Sequence, residues 1–387
     1  MKPTRTLAAL SALALLGLAG CTDNNAQSSS SASPGNLNVT STDTECQVSA
    51  ATAPSGNLVF TVTNQGSKIT EFYLLAEDGL RIVGEVENIG PQITRDLVLK
   101  AAPGKYFTAC KPGMVGEGIR HEFTVTDSGA DLGVSADDKG LVDQANTAYA
   151  GYVKDQTEQL LTGTQEFAQL YIAGKDDEAR ARYAPTRVHW ERIEPVAESF
   201  GDLDPRMDAR EADLESGQKW TGWHAIEKDL WPPKSGHTAL TTAQRKALAD
   251  QLVADTKTLY DRTRAMKFTA NQIANGAKTL LDEVATGKVT GEEEIWSHTD
   301  LYDFQANVDG ARVAWKGLEP LLKKKDAELN SQLTLKFAAL QKLLDAQRQG
   351  DGFVGYDKLT KDQVKELSDA VNALSEPLSK VPAAVTL

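Results

Sequence analysis

Trp220-Thr-Gly-Trp-His-Ala-Ile-Glu-Lys-Asp-Leu-Trp231 decides how the second half of the chain is read. As a helix, it projects His224 and Glu227, three residues apart, from one face. Upstream, Arg187-Val-His-Trp-Glu-Arg-Ile-Glu-Pro195 repeats the spacing with Glu191 and Glu194. Two helices that each present such a pair can hold a cation between them, which favours metal binding over a covalent mechanism. A lone His-x-x-Glu is frequent by chance and usually marks a buried histidine held by its neighbour. Here the second pair shifts the balance, as does Asp208 in the acidic stretch Asp202-Leu-Asp-Pro-Arg-Met-Asp-Ala-Arg-Glu211. Trp220, Trp223 and Trp231 supply a wall that excludes water and strengthens the local field. A further polar cluster, Gly291-Glu-Glu-Glu-Ile-Trp-Ser-His-Thr-Asp-Leu-Tyr-Asp303, adds Glu293, His298, Asp300 and Asp303 as secondary candidates.

Ligand hardness narrows the ion. Carboxylates with one imidazole suit iron in either oxidation state, and also manganese or zinc; the absence of thiols from this half disfavours copper(I). A zinc peptidase would carry His-Glu-x-x-His or His-x-x-Glu-His. Residue 228 is Lys, so the second histidine is missing and hydrolysis is the weaker reading. The Glu-x-x-His pair of di-iron oxidases occurs only in reverse order, which gives oxidase chemistry no support.

Outward from this stretch, residues 140–387 keep a helical period: Val153, Leu160, Phe167 and Tyr171 recur at threes and fours or their multiples. Pro185, Pro195, Pro232-Pro233 and Pro320 are read as punctuating successive helices of an up-and-down bundle. Residues 37–127 have a period near two, in Leu58-Val-Phe-Thr-Val-Thr-Asn64, Ile69-Thr-Glu-Phe-Tyr-Leu-Leu75, Ile93-Thr-Arg-Asp-Leu-Val-Leu99 and Glu122-Phe-Thr-Val-Thr126. Turn residues separate them, and about seven short strands at this spacing predict a small β-sandwich. Residues 128–139 read as a polar linker. The predicted architecture is therefore an all-β sandwich followed by an all-α bundle.

The first residues are an export signal. Lys2 and Arg5 precede an apolar run that stops at Leu18-Ala-Gly-Cys21, too short for a comfortable membrane span. Signal, small residues and Cys coincide as in a bacterial lipobox, which predicts removal of residues 1–20 and lipid attachment at Cys21. Residues 21–36 then form a Ser-, Ala- and Asn-rich tether. The predicted location is the extracytoplasmic face of the cell membrane. A net charge of -13 over 387 residues argues against nucleic acid and anionic lipid surfaces, and is compatible with collecting cations.

Cys46 and Cys110 are the remaining cysteines. Two readings stay open. One is a structural disulfide, worth about 4 kcal/mol on the chain-entropy model. The other is an atypical metal site combining the thiols with Glu71, Glu85 or Glu87. Pro103-Gly-Lys-Tyr-Phe-Thr-Ala-Cys-Lys-Pro-Gly-Met114 is similar to the metal-site end of a cupredoxin. A blue-copper centre needs two histidines, however, and His121 is the single one in this half, so a normal copper site of that type is excluded.

The His-x-x-Glu tetrad closely resembles the hallmark of the imelysin, or M75 peptidase-like, family. Three longer stretches are similar to its EfeO-type branch, which serves Efe ferrous-iron uptake: residues 183–195, Ser297-His-Thr-Asp-Leu-Tyr-Asp-Phe-Gln-Ala-Asn-Val-Asp-Gly-Ala311 and Gly352-Phe-Val-Gly-Tyr-Asp-Lys-Leu359. Full-length members join a cupredoxin-like domain to an M75 domain, the order read here. The resemblance implies an extracytoplasmic iron-binding protein that passes iron to a membrane permease, with a haem-peroxidase-like partner. It maps the family's site onto His224 and Glu227, with Glu191, Glu194 and Asp208 as companions. It also implies two alternatives, a metallopeptidase and a binder of acidic polysaccharide through a bridging cation.

Overall fold

The computed structural model describes residues 35–77, 79, 82–114, 116–129, 136–214, 217–236 and 238–386. The signal, Cys21 and most of the tether lie outside them, as does the centre of the linker.

Among the described residues of the first half there are nine strands: β1 (Asn36–Ser41), β2 (Cys46–Val48), β3 (Thr52–Pro54), β4 (Gly56–Asn64), β5 (Thr70–Leu75), β6 (Ile82–Ile89), β7 (Thr94–Ala101), β8 (Gly104–Cys110) and β9 (Ile119–Thr126). They make two sheets, ordered β2-β1-β4-β7 and β3-β9-β8-β5-β6. Alternate residues of β4 turn inward, so Leu58, Phe60 and Val62 are fully buried. Phe60 meets Phe72 at 5.2 Å and Phe123 at 5.6 Å between ring centroids, tying the two sheets through one aromatic cluster. Cys46 and Cys110 are joined as a disulfide with Cα atoms 5.4 Å apart. That bond consumes both thiols and removes the alternative of a thiolate metal or copper site.

The second half holds α1 (Ala136–Ile172), α2 (Asp176–Glu191), α3 (Glu194–Glu198), α4 (Asp204–Met207), α5 (Trp223–Leu230), α6 (Thr242–Arg264), α7 (Ala270–Thr286), α8 (Asp300–Lys325), α9 (Ala327–Asp345), α10 (Lys361–Leu378) and α11 (Val381–Thr386). The long α1 begins ahead of Gly140 and packs against α2, α6 and α8. Three helices start with reciprocal caps, Thr241 with Gln244, Thr269 with Gln272 and Thr360 with Gln363. Two prolines depart from the predicted punctuation. Pro185 lies inside α2 and Pro320 inside α8, because buried faces on both sides hold each helix through the lost backbone bond. Pro195 does open α3.

The sandwich sits on α7. Asn271 and Asn275 each donate to the Val98 carbonyl of β7 at 3.2 Å, and Arg95 reaches Asp282 at 3.4 Å. Among the described residues no helix is long and apolar enough to cross a membrane.

Candidate metal centre

The site lies where α2, the start of α3, the end of α4, α5 and the segment 287–299 converge. Glu191 and Glu194 do not share one helix, contrary to the sequence expectation. Glu191 closes α2, Ile193 breaks the path with φ −126°, and Glu194 opens α3. His224 and Glu227 do lie on one short helix, α5. Its entry depends on Gly222, whose φ is 91°; a Cβ there would lie 2.2 Å from the Met207 carbonyl oxygen. Thr221 also donates its hydroxyl to the Arg206 carbonyl at 2.7 Å. This close crossing sets the imidazole beside Asp208, the residue that ends α4.

Among the described residues, eight carboxylates of this region are buried: Glu191, Glu194, Asp208, Glu227, Glu293, Glu294, Asp300 and Asp303. Against them stand two buried fixed cations, Arg187 and Lys288, and one imidazole. Arg187 pairs with Asp208, lies 2.7 Å from Glu191 Oε1 and 3.1 Å from Glu293 Oε1, and has Asp303 Oδ1 at 3.7 Å. Its Nε is 2.7 Å from Glu294 Oε1, close enough for an ion pair though outside hydrogen-bond alignment. Lys288 Nζ donates to Glu191 Oε2 at 2.5 Å and to both oxygens of Glu194 at 2.8 Å. Charge of this density, taken out of water, has to be neutralised by protons or by added cations.

The two nitrogens of His224 differ. Nδ1 lies 3.3 Å from Glu227 Oε2, within hydrogen-bonding range. Nε2 has no hydrogen-bond partner, with Asp208 Oδ1 at 3.5 Å and Glu293 Oε1 at 3.6 Å. Glu227 is fully occupied, since its other oxygen accepts the backbone N–H groups of Trp296 at 3.1 Å and Ser297 at 2.8 Å. That arrangement suits a carboxylate that orients a ligating imidazole, leaving Nε2 to face a cation. Both oxygens of Asp303 and Oδ1 of Asn307 also lack hydrogen-bond partners. Three groups bring ligand atoms within 4.8 Å of one another: Asp208 with His224 and Glu293; His224 with Glu227 and Glu294; and Glu191 with Glu194 and Asp208. The donor set is therefore oxygen with one imidazole nitrogen, and buried donor atoms without partners point into it.

Protonation follows this layout. Burial and Arg187 act against a charged His224, yet Glu227, Glu293 and Asp208 outweigh them and raise it to about 9. Burial would raise Asp208 and Glu293, but the cations beside them hold both below the ordinary carboxylate range. Glu194, Glu294 and Asp303 go the other way, raised by burial and by neighbouring carboxylates. Burial also lifts Asp300, to about 6.

The secondary candidates divide. Glu293 faces His224 Nε2. Asp300 accepts the Glu294 N–H at 3.1 Å and so braces the segment. Asp303 faces Arg187. His298 belongs to none of the three groups; its φ of 58° serves a turn whose carbonyl accepts the Tyr356 N–H at 2.9 Å. Trp223 packs against Phe167 and Tyr183, while Trp220 lies 5.7 Å from Trp296 with Lys228 over both rings. Glu294, Arg187, Lys288 and Asn307 were not assigned from the sequence. Arg187 could have been, because it stands four residues before Glu191 on the same helix face.

A family model described as Imelysin matches residues 145–381, and one described as a cupredoxin-like domain matches residues 9–125. The chain belongs to the imelysin family, in its EfeO-type branch. It is 36% identical over 351 residues, 89% of this chain and 90% of the relative, to the iron uptake system component EfeO of Escherichia coli strain K12. The same figures hold for the protein of that name in Shigella flexneri. An Efem/EfeO family lipoprotein of Staphylococcus haemolyticus is 44% identical over 248 residues, covering 63% of this chain and 85% of its own. The imelysin match spans every residue of the carboxylate cluster, and the two matches follow the order of sandwich and bundle in the fold.

Proposed function

We propose that this protein is a lipid-anchored, exported component of an iron uptake system, and that its bundle centre captures iron as cargo. The observation that carries the reading is His224 Nε2, buried and without a hydrogen bond, facing Asp208 and Glu293 at 3.5 and 3.6 Å. A hard, mostly oxygen donor set of this kind fits iron, with manganese or zinc as chemically close competitors. EfeO-named relatives supply the physiological context. Lipid attachment at Cys21 draws support from the relative named as a lipoprotein. Delivery to a membrane permease and cooperation with a haem-peroxidase-like partner are part of the same proposal.

Binding accounts for the geometry better than hydrolysis. Position 228 is a lysine engaged with Glu211, and Glu227 is saturated by His224 and two backbone N–H groups, so it is not free as a general base. The carboxylates that face His224 Nε2, Asp208 and Glu293, are held ionised by the cations beside them, which suits ligation of a cation. Cation-bridged polysaccharide binding remains an outcome of the test. Anaerobic calorimetric titration with Fe2+ should show binding that falls at least tenfold in a His224→Gln, Glu293→Gln double variant of unchanged helicity. Unchanged affinity in that variant would falsify the assignment, and tight binding of alginate only with metal present would redirect it.

A further inference from the structure

The third ligand group, Glu191 with Glu194 and Asp208, already contains a cation. Lys288 Nζ stands 2.5 Å from Glu191 and 2.8 Å from both oxygens of Glu194, and the residue is 1% exposed. A metal ion bound by those carboxylates would sit about 2.0–2.2 Å from their oxygens. Ammonium and metal would then occupy the same space. We propose that Lys288 is a tethered stand-in cation, which neutralises this ligand group in the metal-free protein and which an incoming ion must displace. The inference rests on the reading of the centre as a metal site and adds a rule for which ions it accepts.

The rule concerns valence. A monovalent ion would bring no more charge than the ammonium it replaces, and it would compete against a group held at high effective concentration by its own chain. A divalent or trivalent ion brings at least one further charge to a cluster with an excess of carboxylates, and so gains where sodium or potassium does not. Lys288 is built to leave. It lies on a short turn, Lys288–Thr290, between two glycines, Gly287 and Gly291. The turn's backbone is held by Tyr356, whose hydroxyl donates to the Val289 carbonyl at 2.5 Å. Rotation about the four-carbon stem can therefore carry the ammonium away with the main chain in place.

Two measurements test this. The first uses Mn2+ as probe, with Lys288→Met, which keeps length and loses charge. The variant should bind Mn2+ at least tenfold more tightly than the parent. Its affinity should also become sensitive to K+ but not to tetramethylammonium at equal ionic strength, whereas the parent ignores both. A folded variant with equal or weaker Mn2+ affinity overturns the proposal. The second needs no variant, and decides the matter should Lys288→Met fail to fold. Amine acetylation of the parent protein, read by mass spectrometry, should leave Lys288 unlabelled without metal and label it once Mn2+ saturates the site. Bound Mn2+ with Lys288 still protected overturns the displacement alone. Absence of Mn2+, Fe2+ and Zn2+ binding to the parent protein overturns the metal reading as well.

Discussion

The molecule contains two groups of crowded carboxylates, and they are neutralised in different ways. In the bundle, Arg187 and Lys288 stand inside the cluster and a neutralisable imidazole lies between Asp208, Glu227 and Glu293. At the edge of the sandwich, Glu85 and Glu87 stand near Glu71 and Glu283 of α7; Lys278 acts on both, but neither forms an ion pair among the described residues. Glu71 instead takes the Tyr73 hydroxyl, and burial raises it. Burial and the neighbouring Glu71 push Glu85 up to about 8. In the first group cations hold Asp208, Glu227 and Glu293 below the ordinary carboxylate range while Glu194, Glu294 and Asp303 are raised; in the second, Glu71, Glu85 and Glu87 are all raised. The same side chain thus forms the proposed site in one half and a titratable seam in the other.

The comparison can be broken most severely at Arg187. Arg187→Met leaves several buried carboxylates without their counter-ion and should cost about 5 kcal/mol, read by denaturant unfolding of the helical signal. A loss near zero would mean that protons, not the guanidinium, neutralise the bundle too. Removing the disulfide with Cys46→Ala and Cys110→Ala should lower the stability of the sandwich by about 4 kcal/mol. Iron binding should stay as it was, because both cysteines belong to the sandwich core and neither is in any of the three ligand groups.

A smaller effect separates the imidazole from its surroundings. His224→Gln should weaken metal binding at least tenfold, about 1.4 kcal/mol. With the imidazole raised to about 9, a metal must displace its proton at neutral pH, so affinity should climb between pH 6.5 and 9 and level off above. Without metal the sign reverses. The protonated ring adds stability that is complete below its unfolded value near 6.5 and is lost as pH passes 9, so the melting temperature of the metal-free protein should fall over that window. The smallest effect belongs to Glu85→Gln. The unfolded chain releases this proton near 4.5 and the folded one near 8, so the folded protein loses stability as pH rises across that range. Because Glu85 is only partly buried, water screens most of this, and the variant should melt roughly 2–4 °C higher at pH 8.5 and nearly unchanged at pH 5.

Legibility in the sequence tracked the range of the interactions. β4 and β7 show their alternation because one face of each is buried, whereas β5, read as a strand with them, is buried on both faces. His224 and Glu227 were readable because a single helical turn fixes their relation. Glu191 and Glu194 gave the right neighbourhood from the wrong geometry, since a helix break and not a shared face brings them together. Lys288 left no trace, because its partners lie 97 and 94 residues away and no local spacing encodes such a pair. His298 misled for the opposite reason: a histidine among acids looks like a ligand, but its backbone conformation is what the turn requires.

Gly222 shows how little separates a working centre from a scattered one. Where the chain crosses the end of α4, the space available is that of a hydrogen atom, and the carbonyls of Arg206 and Met207 close the rest. A single methyl group at that point would act as a wedge, prising α5 away and parting the ring from Asp208 without altering any atom that could touch a metal. Loss of capture with every donor intact would then trace to one missing carbon.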